Sequence, residues 1–500
     1  MRQRSAWYAL GDLNAFFALV LDNVVNLVIL GALLTFGFGM PADFVLTRMI
    51  PGTALGVLVG DLAYSWMAIR KGVGATAMPL GLDTPSTIGM AVAVIGPVFL
   101  QSRDPMVAWE VGMATLVLMG VAKLVLSFAG DAVTRIVPVA GLLGPIAGVG
   151  LALLGLFPVV RIFSVPIAGI VAMGLVLYSL VAGHVLPFRI PGALAALVVG
   201  ALLYFVTVLA GWTPAHAPAA VALGFHPPMP QLDHLWAGLP LALDYLPISI
   251  PFGLLTVIGG INVAASAREA GDDYRTRDIL LVEAVATLVA GVFGGVAQST
   301  PYIGHPAYKA MKARAGYTLA TGLVIGIGGC FGLLGVLVDW LPEVAIAPIL
   351  LFVGLEIAVQ AFHVPPRRHL PAVVLSFIPT LAYLVSIYTG QLMAAGAKPD
   401  PFLASQVGTL AILGRGFILT AMLWGTATAW LIDRRALPVL LAFLVMALFS
   451  LFGVIHSSDP AGALTLPWNA LVRTPWELCI AYGATGVLLA GLLQFGPARE

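Results

Sequence analysis

Two short stretches place polar residues and a proline inside otherwise apolar sequence: "LDTPST" (Leu82–Thr87) and "QSTPYI" (Gln298–Ile303). Threonine followed by proline is typical of a helix start, because the hydroxyl accepts from a free backbone amide and proline tolerates the first helical position. A helix that begins inside a bilayer leaves unpaired N–H groups and a positive dipole end, which are tolerated where they line a cavity or bind a solute. The matched pair therefore predicts a site for a polar or anionic planar solute between two half-helices, with a proline kink as the alternative for either stretch alone.

An aspartate stands at the first of these breaks. A charged side chain at the bilayer centre costs about 2.5–3.5 kcal/mol on insertion scales, so Asp83 should face the protein interior. It could cap the half-helix, contact the substrate or carry a coupling proton.

The first apolar run holds a second candidate proton carrier. Asp22 shares one helix face with Asn14 and Asn26, across the small Ala18, and this polar stripe should point into the helix bundle. A structural hydrogen-bonding role for Asp22 is the alternative.

Three further acids lie within apolar runs: Asp61, Glu283 and Glu356. Each is interpreted here as a helix-packing or span-end group, not as a ligand. Lys123 could pair with one of them, and the sequence does not indicate which.

Composition places the chain in a membrane. The chain has 500 residues, 60% of them hydrophobic and 9% charged, whereas soluble proteins carry about 25% charged residues. The 24 basic and 23 acidic residues nearly cancel, and there is no basic tract of the kind that binds nucleic acid. No HExxH, G-x-S-x-G or phosphate-binding loop is present, so an enzyme is not expected, and neither a cofactor nor a metal site is predicted.

The apolar runs predict the topology. About sixteen runs approach spanning length, but those near 85–101 and 303–313 are too short to cross alone. One break precedes the third span and the other precedes the third span after a polar connection at 212–245. Because seven spans are an odd number, the second copy enters the membrane from the opposite side, which is an inverted repeat. Basic loop residues place both termini in the cytoplasm.

The predicted fold class is thus an all-α polytopic membrane protein built from two inverted repeats of seven spans. Half-helices are expected at spans three and ten. The predicted segments are a first repeat (1–211), an extracellular or periplasmic linker (212–245), a second repeat (246–432) and about two additional C-terminal spans (433–500).

Three longer stretches carry a resemblance to a known family: "MPLGLDTPSTIG" (Met78–Gly89), "AVATLVAGVFGGVAQSTPYIG" (Ala284–Gly304) and "LPAVVLSFIPTLAYLVSIYTG" (Leu370–Gly390). They resemble the nucleobase–cation symporters, the xanthine, uracil and vitamin C permeases, and the last two are most similar to the guanine/hypoxanthine/adenine branch. The resemblance covers roughly residues 10–432. It implies a core of spans one to four and eight to eleven, a gate of the remaining repeat spans and an elevator mechanism. The apolar faces of the gate would also suit a homodimer, although the oligomeric state stays open.

The resemblance also implies which residues contact the substrate. They lie in the first break (Gly81, Leu82, Asp83, Thr84 and Ser86), in span eight (Thr256 and Asn262) and in the second break (Gln298, Ser299, Thr300, Tyr302 and Gly304). The family usually places an acid in span eight and a glutamate in the second break. Both are missing here, the glutamate position being Gly304 beside His305, and Asp83 could take over their role.

The expected function is proton-coupled uptake of a nucleobase-like solute (a purine, pyrimidine or xanthine) across a bacterial inner membrane. Asp83, Asp22 and His305 are the candidates for the coupling proton, and Na⁺ coupling stays open. The alternative is an anion or carboxylate transporter or exchanger of the same fold, whose site relies on the helix dipoles.

Overall fold

The computed structural model describes residues 7–72, 74–128, 137–187, 190, 192–214, 224–302, 305–333, 342–394, 396–459, 464, 466–469 and 472–495. The chain divides into two compact units. The first unit combines Met1–Asp131 with Ala215–Glu343, and the second combines Ala132–Pro214 with Val344–Glu500. Each unit therefore draws on both predicted repeats, while the repeat boundaries themselves stay predictions.

The first unit is a bundle of helices around two short strands. The helices are α1 (Gly11–Ala32), α2 (Ile50–Lys71), α3 (Thr84–Met90), α4 (Gly96–Ser102), α5 (Pro105–Leu126), α9 (Leu232–Ala242), α10 (Leu246–Glu269), α11 (Thr276–Val292), α12 (His305–Ala310) and α13 (Gly316–Cys330). The strands are β1 (Leu80–Leu82) and β2 (Ser299–Pro301). A π-helical segment, Ala91–Ile95, joins α3 to α4, so the first half-helix continues from Thr84 to Ser102.

Local sequence explains where the helices of this unit begin. Asp104 caps α5, because its Oδ1 accepts from the Met106 amide at 2.8 Å, and Pro105 occupies the first helical position. Asp83 caps α3 in the same way, with Thr84 and Pro85 in the first helical turn, so the capping group is the aspartate and not the threonine hydroxyl that the sequence predicted. Helix α2 is preceded by the short helix Ala42–Phe44 and the π-helical segment Val45–Met49.

The second unit is entirely helical within the described residues. Its helices are α6 (Val139–Ser164), α7 (Pro166–Val176), α8 (Gly192–Leu209), α14 (Glu343–His363), α15 (Leu370–Leu375), α16 (Phe377–Ala394), α17 (Pro401–Gly414), α18 (Phe417–Ile432), α19 (Ala436–Leu451) and α20 (Thr474–Phe495). The two C-terminal helices, α19 and α20, pack against each other.

Several of these helices are long enough for a membrane. Within the described part of the chain, six helical segments meet the length and composition of a span, or up to eight if each of two bent pairs counts as one. The other apolar helices have 10–17 residues. The segment Ser86–Ser102 is among them, which agrees with the prediction of a half-length helix after the first break.

The helix boundaries differ from the sequence-based expectation in three places. The stretch Leu370–Gly390 is divided at Ser376 into α15 and α16. Residues Pro401–Gly414 form a helix that lies at 73° to the next one, because the helical conformation is interrupted at Arg415 and Gly416. Part of the expected linker is also helical, because α9 packs its apolar residues against α5.

Candidate functional site

The two breaks meet in the middle of the first unit. Strands β1 and β2 pair antiparallel with Gly81 opposite Thr300. The Asp83 amide donates to the Gln298 carbonyl at 3.0 Å, and the Tyr302 amide donates to the Pro79 carbonyl at 2.8 Å. Backbone groups that would be unpaired in the bilayer therefore satisfy each other, and both predicted breaks lie side by side.

Asp83 caps the first half-helix. Its Oδ2 accepts from the Ser86 amide at 2.9 Å, and the Ser86 hydroxyl donates to the Asp83 carbonyl at 3.2 Å. A carboxylate at a helix N-terminus is stabilised by about 0.3–1 kcal/mol, and by more when it is partly buried. Of the three roles considered for Asp83, capping is the one this geometry accounts for. Its Oδ2 accepts the hydrogen bond of the Ser86 amide, so that amide is not available to a bound anion.

Asn23 of α1 forms hydrogen bonds with the backbone of β1. Its Oδ1 accepts from the Leu82 amide at 3.2 Å, and its Nδ2 donates to the carbonyls of Leu80 at 3.3 Å and Leu19 at 3.0 Å. The side chain is fully buried. Sequence analysis missed Asn23, although a second amide beside Asp22 was a signal for it.

Asp22 lies against the same strand. A Cβ at position 81 would stand 2.8 Å from Asp22 Oδ2, so only glycine lets the carboxylate approach this closely. The predicted polar stripe of α1 is only partly buried: Asn26 is buried, whereas Asn14 and Ala18 are exposed. The expectation that the whole stripe points into the bundle is wrong for its first half.

Lys123 of α5 is the cation at this site. Its Nζ lies 2.7 Å from Glu283 Oε1, and both side chains have no exposed surface. It also donates to Thr287 Oγ1 at 3.1 Å, to Gln298 Oε1 at 3.0 Å and to the Ser299 carbonyl at 3.1 Å. A buried ammonium needs such partners, because an unpaired charge is too costly to desolvate. The partner that the sequence left open is Glu283.

Gln298 connects the two breaks through its side chain. Its Oε1 accepts from Lys123, and its Nε2 faces Asp83 Oδ2 at 3.5 Å, a long contact. The hydroxyl of the neighbouring Ser299 is buried and has no hydrogen-bond partner among the described residues. The strand pair therefore presents a cation, a capped helix start and a hydroxyl group that is free to bind a ligand.

The remaining predicted substrate contacts fall around this centre. Thr256 donates within its own helix, to the carbonyls of Phe252 and Gly253, at 3.2 and 3.1 Å. Tyr302 is 41% exposed and meets Tyr308 edge-on. Thr84 begins α3 and is half-buried. The side chain of Asn262 and the whole of Gly304 lie outside the described residues.

His305 belongs to a different polar cluster. Its Nε2 lies 3.0 Å from Asp272 Oδ2 in the loop between α10 and α11, and the same oxygen accepts from Lys309 at 2.8 Å and from the Thr76 amide at 3.3 Å. Burial raises the pKa of the Asp272 carboxyl, but the hydrogen bonds from His305 and Lys309 outweigh this effect and lower that pKa. Among its described contacts, His305 reaches no residue of β1 or β2.

Known proteins were compared with this chain by sequence and by fold. No family model and no curated protein matches the sequence. The transmembrane domain of a cyanobacterium bicarbonate transporter, BicA, matches with a TM-score of 0.51 and 16% identity, over 77% of this chain and 97% of that one. The structure of SLC26A9 matches with a TM-score of 0.51 and 13% identity, over 75% of this chain and 62% of that one.

The chain has the fold of these transmembrane regions. The predicted fold class, an all-helical membrane protein built from inverted repeats, is thereby confirmed. The chain is a multi-span helical membrane protein.

The predicted kinship with nucleobase–cation symporters is wrong. Structural neighbours of the chain include BicA and SLC26A9, which point to a different family. Two of the three shared stretches coincide with the breaks, one at β1 and the start of α3 and the other at β2, so they report the backbone geometry of the fold. A motif imposed by backbone geometry indicates the fold and carries no information on the solute.

Proposed function

We propose that this protein is a secondary transporter of a small oxyanion, of the bicarbonate or short-carboxylate class. The observation that carries the proposal is the buried ammonium of Lys123, which contacts both Gln298 and Ser299 of the second break. A desolvated cation favours an anionic solute. The fold that this chain shares with a bicarbonate transporter supports a transport function. The proposed class of substrate is argued from the residues around Lys123 and not from the fold.

The coordination of Lys123 leaves room for a ligand. An ammonium has three N–H protons. Four oxygen atoms lie within 3.1 Å of it, from Glu283, Thr287, Gln298 and Ser299. One neutral acceptor can therefore be displaced by an anion at little cost, because the ammonium already shares its protons among more acceptors than it can satisfy.

Charge balance favours entry of a cation with the anion. Glu283 neutralises Lys123, and the Asp83 carboxylate already faces the start of α3. An anion alone would make the buried site more negative, so we propose symport with a proton, or with Na⁺ as the alternative. Asp22 and Asp83 are the predicted proton carriers that touch the strand pair, whereas His305 bonds to the loop carboxylate of Asp272.

The membrane setting is part of the same proposal. Helix α20 carries exposed large apolar side chains along its length, which suits contact with lipid. A bacterial inner membrane, cytoplasmic termini and a homodimer stay predictions. Nucleic acid is not a proposed partner.

The proposal is tested by counterflow in proteoliposomes. Vesicles preloaded with unlabelled sulfate, bicarbonate, formate or succinate receive the labelled anion outside, with uracil as a neutral control solute. We expect saturable exchange of at least one oxyanion and none of uracil. Lys123→Gln should abolish the exchange, and the control Lys398→Gln, at an exposed lysine of the second unit, should not. Exchange of no oxyanion by the folded wild type, or full activity of Lys123→Gln, would reject the proposal.

A further inference from the structure

Two acids lie in the helices that lead into the two strands. Glu283 belongs to α11, which precedes β2, and Asp61 belongs to α2, which precedes β1. Both side chains have no exposed surface. Glu283 is paired with Lys123 at 2.7 Å, whereas neither oxygen of Asp61 has a hydrogen bond of normal geometry among the described residues. The two acids therefore differ in one respect that governs their charge, the presence of a cation.

The packing around Asp61 is close. The backbone of Leu80 faces the carboxyl from β1. Gly322 of α13 packs against its side chain: a Cβ at position 322 would stand 2.8 Å from Asp61 Cβ and 3.5 Å from Oδ2. The adjacent Thr321 has a fully buried hydroxyl that also lacks a partner within the described part of the chain. Two buried polar side chains thus lie on helices that pack together, and neither has a side-chain hydrogen-bond partner among the described residues.

The titratable groups around Asp61 supply no positive charge. The groups that interact electrostatically with Asp61, or with the tyrosines near it, are Tyr64 on its own helix, Glu283 on α11, Asp12 and Asp22 on α1, Tyr274 before α11, Tyr302 after β2, Tyr308 on α12 and Tyr317 on α13. The hydroxyls of Tyr64 and Tyr317 donate to backbone carbonyls, of Ile279 at 3.0 Å and of Ala77 at 2.7 Å. All of these groups are neutral or acidic, so none can stabilise an ionised Asp61.

An ionised carboxylate without a partner is too costly in such a place. The penalty for burying an isolated charge is so large that the group takes up a proton instead. A metal cation would need more oxygen ligands than Asp61 provides, and the described residues hold no group of three His, Cys, Asp or Glu side chains suited to a metal. The ligand that fits this site is a proton.

We propose that Asp61 binds the proton that travels with the anion, an inference that rests on the proposed transport function. The carboxylate takes up one H⁺ as it becomes buried and releases the same H⁺ when it next meets water, so one negative and one positive charge cross together. Tyr308 is in electrostatic contact with both Asp61 and Asp22, and Asp22 abuts Gly81 at the strand pair. Asp61 and the strand pair are therefore linked electrostatically through Tyr308 and Asp22.

The experiment compares wild type with Asp61→Asn, a close steric match for a protonated aspartate, and with the control Asp104→Asn, at an exposed helix cap. Two transport measurements use the reconstituted full chain: anion exchange at equal pH, and anion accumulation driven by a pH gradient. A difference of about one pH unit can drive about tenfold accumulation in one-to-one symport. We expect Asp61→Asn to exchange the anion but to lose accumulation, while Asp104→Asn keeps both.

A spectroscopic measurement keeps the inference independent of transport. Infrared difference spectra of the purified protein should contain a protonated carboxyl band in wild type and in Asp104→Asn that is missing in Asp61→Asn. Should Asp61→Asn not fold, Asp61→Glu should keep the accumulation and shift the band. The inference is overturned by an unchanged band, by accumulation in Asp61→Asn, by loss of exchange together with accumulation, or by accumulation that follows Na⁺ alone. Absence of any exchange in wild type would instead reject the proposed function.

Discussion

Glu283 and Asp61 lie in corresponding helices of an inverted-repeat fold, each in the helix that leads into one of the two paired strands. One acid has a lysine at 2.7 Å, and the other has no ion-pair partner among the described residues. The repeat therefore reproduces the geometry and not the electrostatics. A paired acid can stay ionised when it is buried, because the lysine compensates its charge. An unpaired one must exchange a proton whenever its exposure changes. Function can arise where the repeats differ while the fold is set by what they share.

The largest effect is expected from removing the ion pair between Lys123 and Glu283. Lys123→Met removes the cation and leaves Glu283 buried without compensation, so it should destabilise the protein by about 3–5 kcal/mol and abolish anion exchange. The free energy of unfolding, measured by denaturant titration in mixed micelles, checks this. Lys123→Met combined with Glu283→Gln removes both charges and should recover much of the stability without the transport. A Lys123→Met protein as stable as wild type would show that this ion pair does not distinguish the repeat that holds Glu283 from the repeat that holds Asp61.

A smaller loss of stability is expected from removing the side chain that joins α1 to β1, the strand that follows the helix of Asp61. Asn23→Ala leaves the Leu82 amide and the Leu80 carbonyl without their side-chain partner, at a cost of about 1–3 kcal/mol. The control is Asn14→Ala on the same helix, where an exposed side chain should change stability by less than about 0.5 kcal/mol. Equal stability of the two variants in the same titration would mean that β1 is held by its pairing with β2 alone.

Asp83 allows the charge of the site to be separated from its structure. Asp83→Asn keeps a good helix cap but removes a negative charge near the anion, so stability should stay close to wild type and the apparent anion affinity should rise. Asp83→Ala removes the cap as well and should cost about 0.5–2 kcal/mol. Concentration-dependent counterflow measures the affinity. An unchanged affinity in Asp83→Asn would place the anion away from the first half-helix.

The sequence predicts the breaks of the fold better than their chemistry. Proline, threonine and glycine act on their own neighbours, so the two interrupted helices and their inverted arrangement follow from local pattern and span counting. The register of β1 on β2 does not, since three-residue strands offer no alternating pattern to fix it. The Lys123–Glu283 pair joins residues 160 positions apart. Only the packing of α5 on α11 decides that pairing.

The misassigned family illustrates the same limit. The stretch around Gln298 resembles a permease motif, but its Thr300 and Pro301 lie in β2 and not at the helix start that the sequence predicted, so the motif reports the strand pairing of the fold. The acids that the family usually has in span eight and at the position of Gly304 are missing here, and their absence was the signal against a nucleobase. Contact of these positions with the solute stays a prediction.

The smallest expected effect concerns the loop acids, which both units pair in a similar way. Asp272 accepts from His305 and Lys309, and Asp433 of the second unit accepts from His369 and Arg368. Burial raises the pKa of each carboxyl, but in both cases these hydrogen bonds and charges lower it overall. A carboxyl whose folded-state pKa lies below its unfolded value stabilises the fold above the unfolded pKa. That stabilisation is lost as the pH falls through the folded pKa.

Thermal unfolding as a function of pH measures this contribution. Wild type should lose stability on acidification below the usual carboxyl range, and Asp272→Asn should lose less over the same interval because its side chain does not titrate. Asp433→Asn should show a weaker effect, since that carboxyl pairs with an exposed arginine whose attraction is screened by solvent. Neither variant should alter the infrared carboxyl band assigned to Asp61. If Asp272→Asn removed that band, the protonated group would lie in the loop cluster, and the contrast between Glu283 and Asp61 would have no role in proton binding.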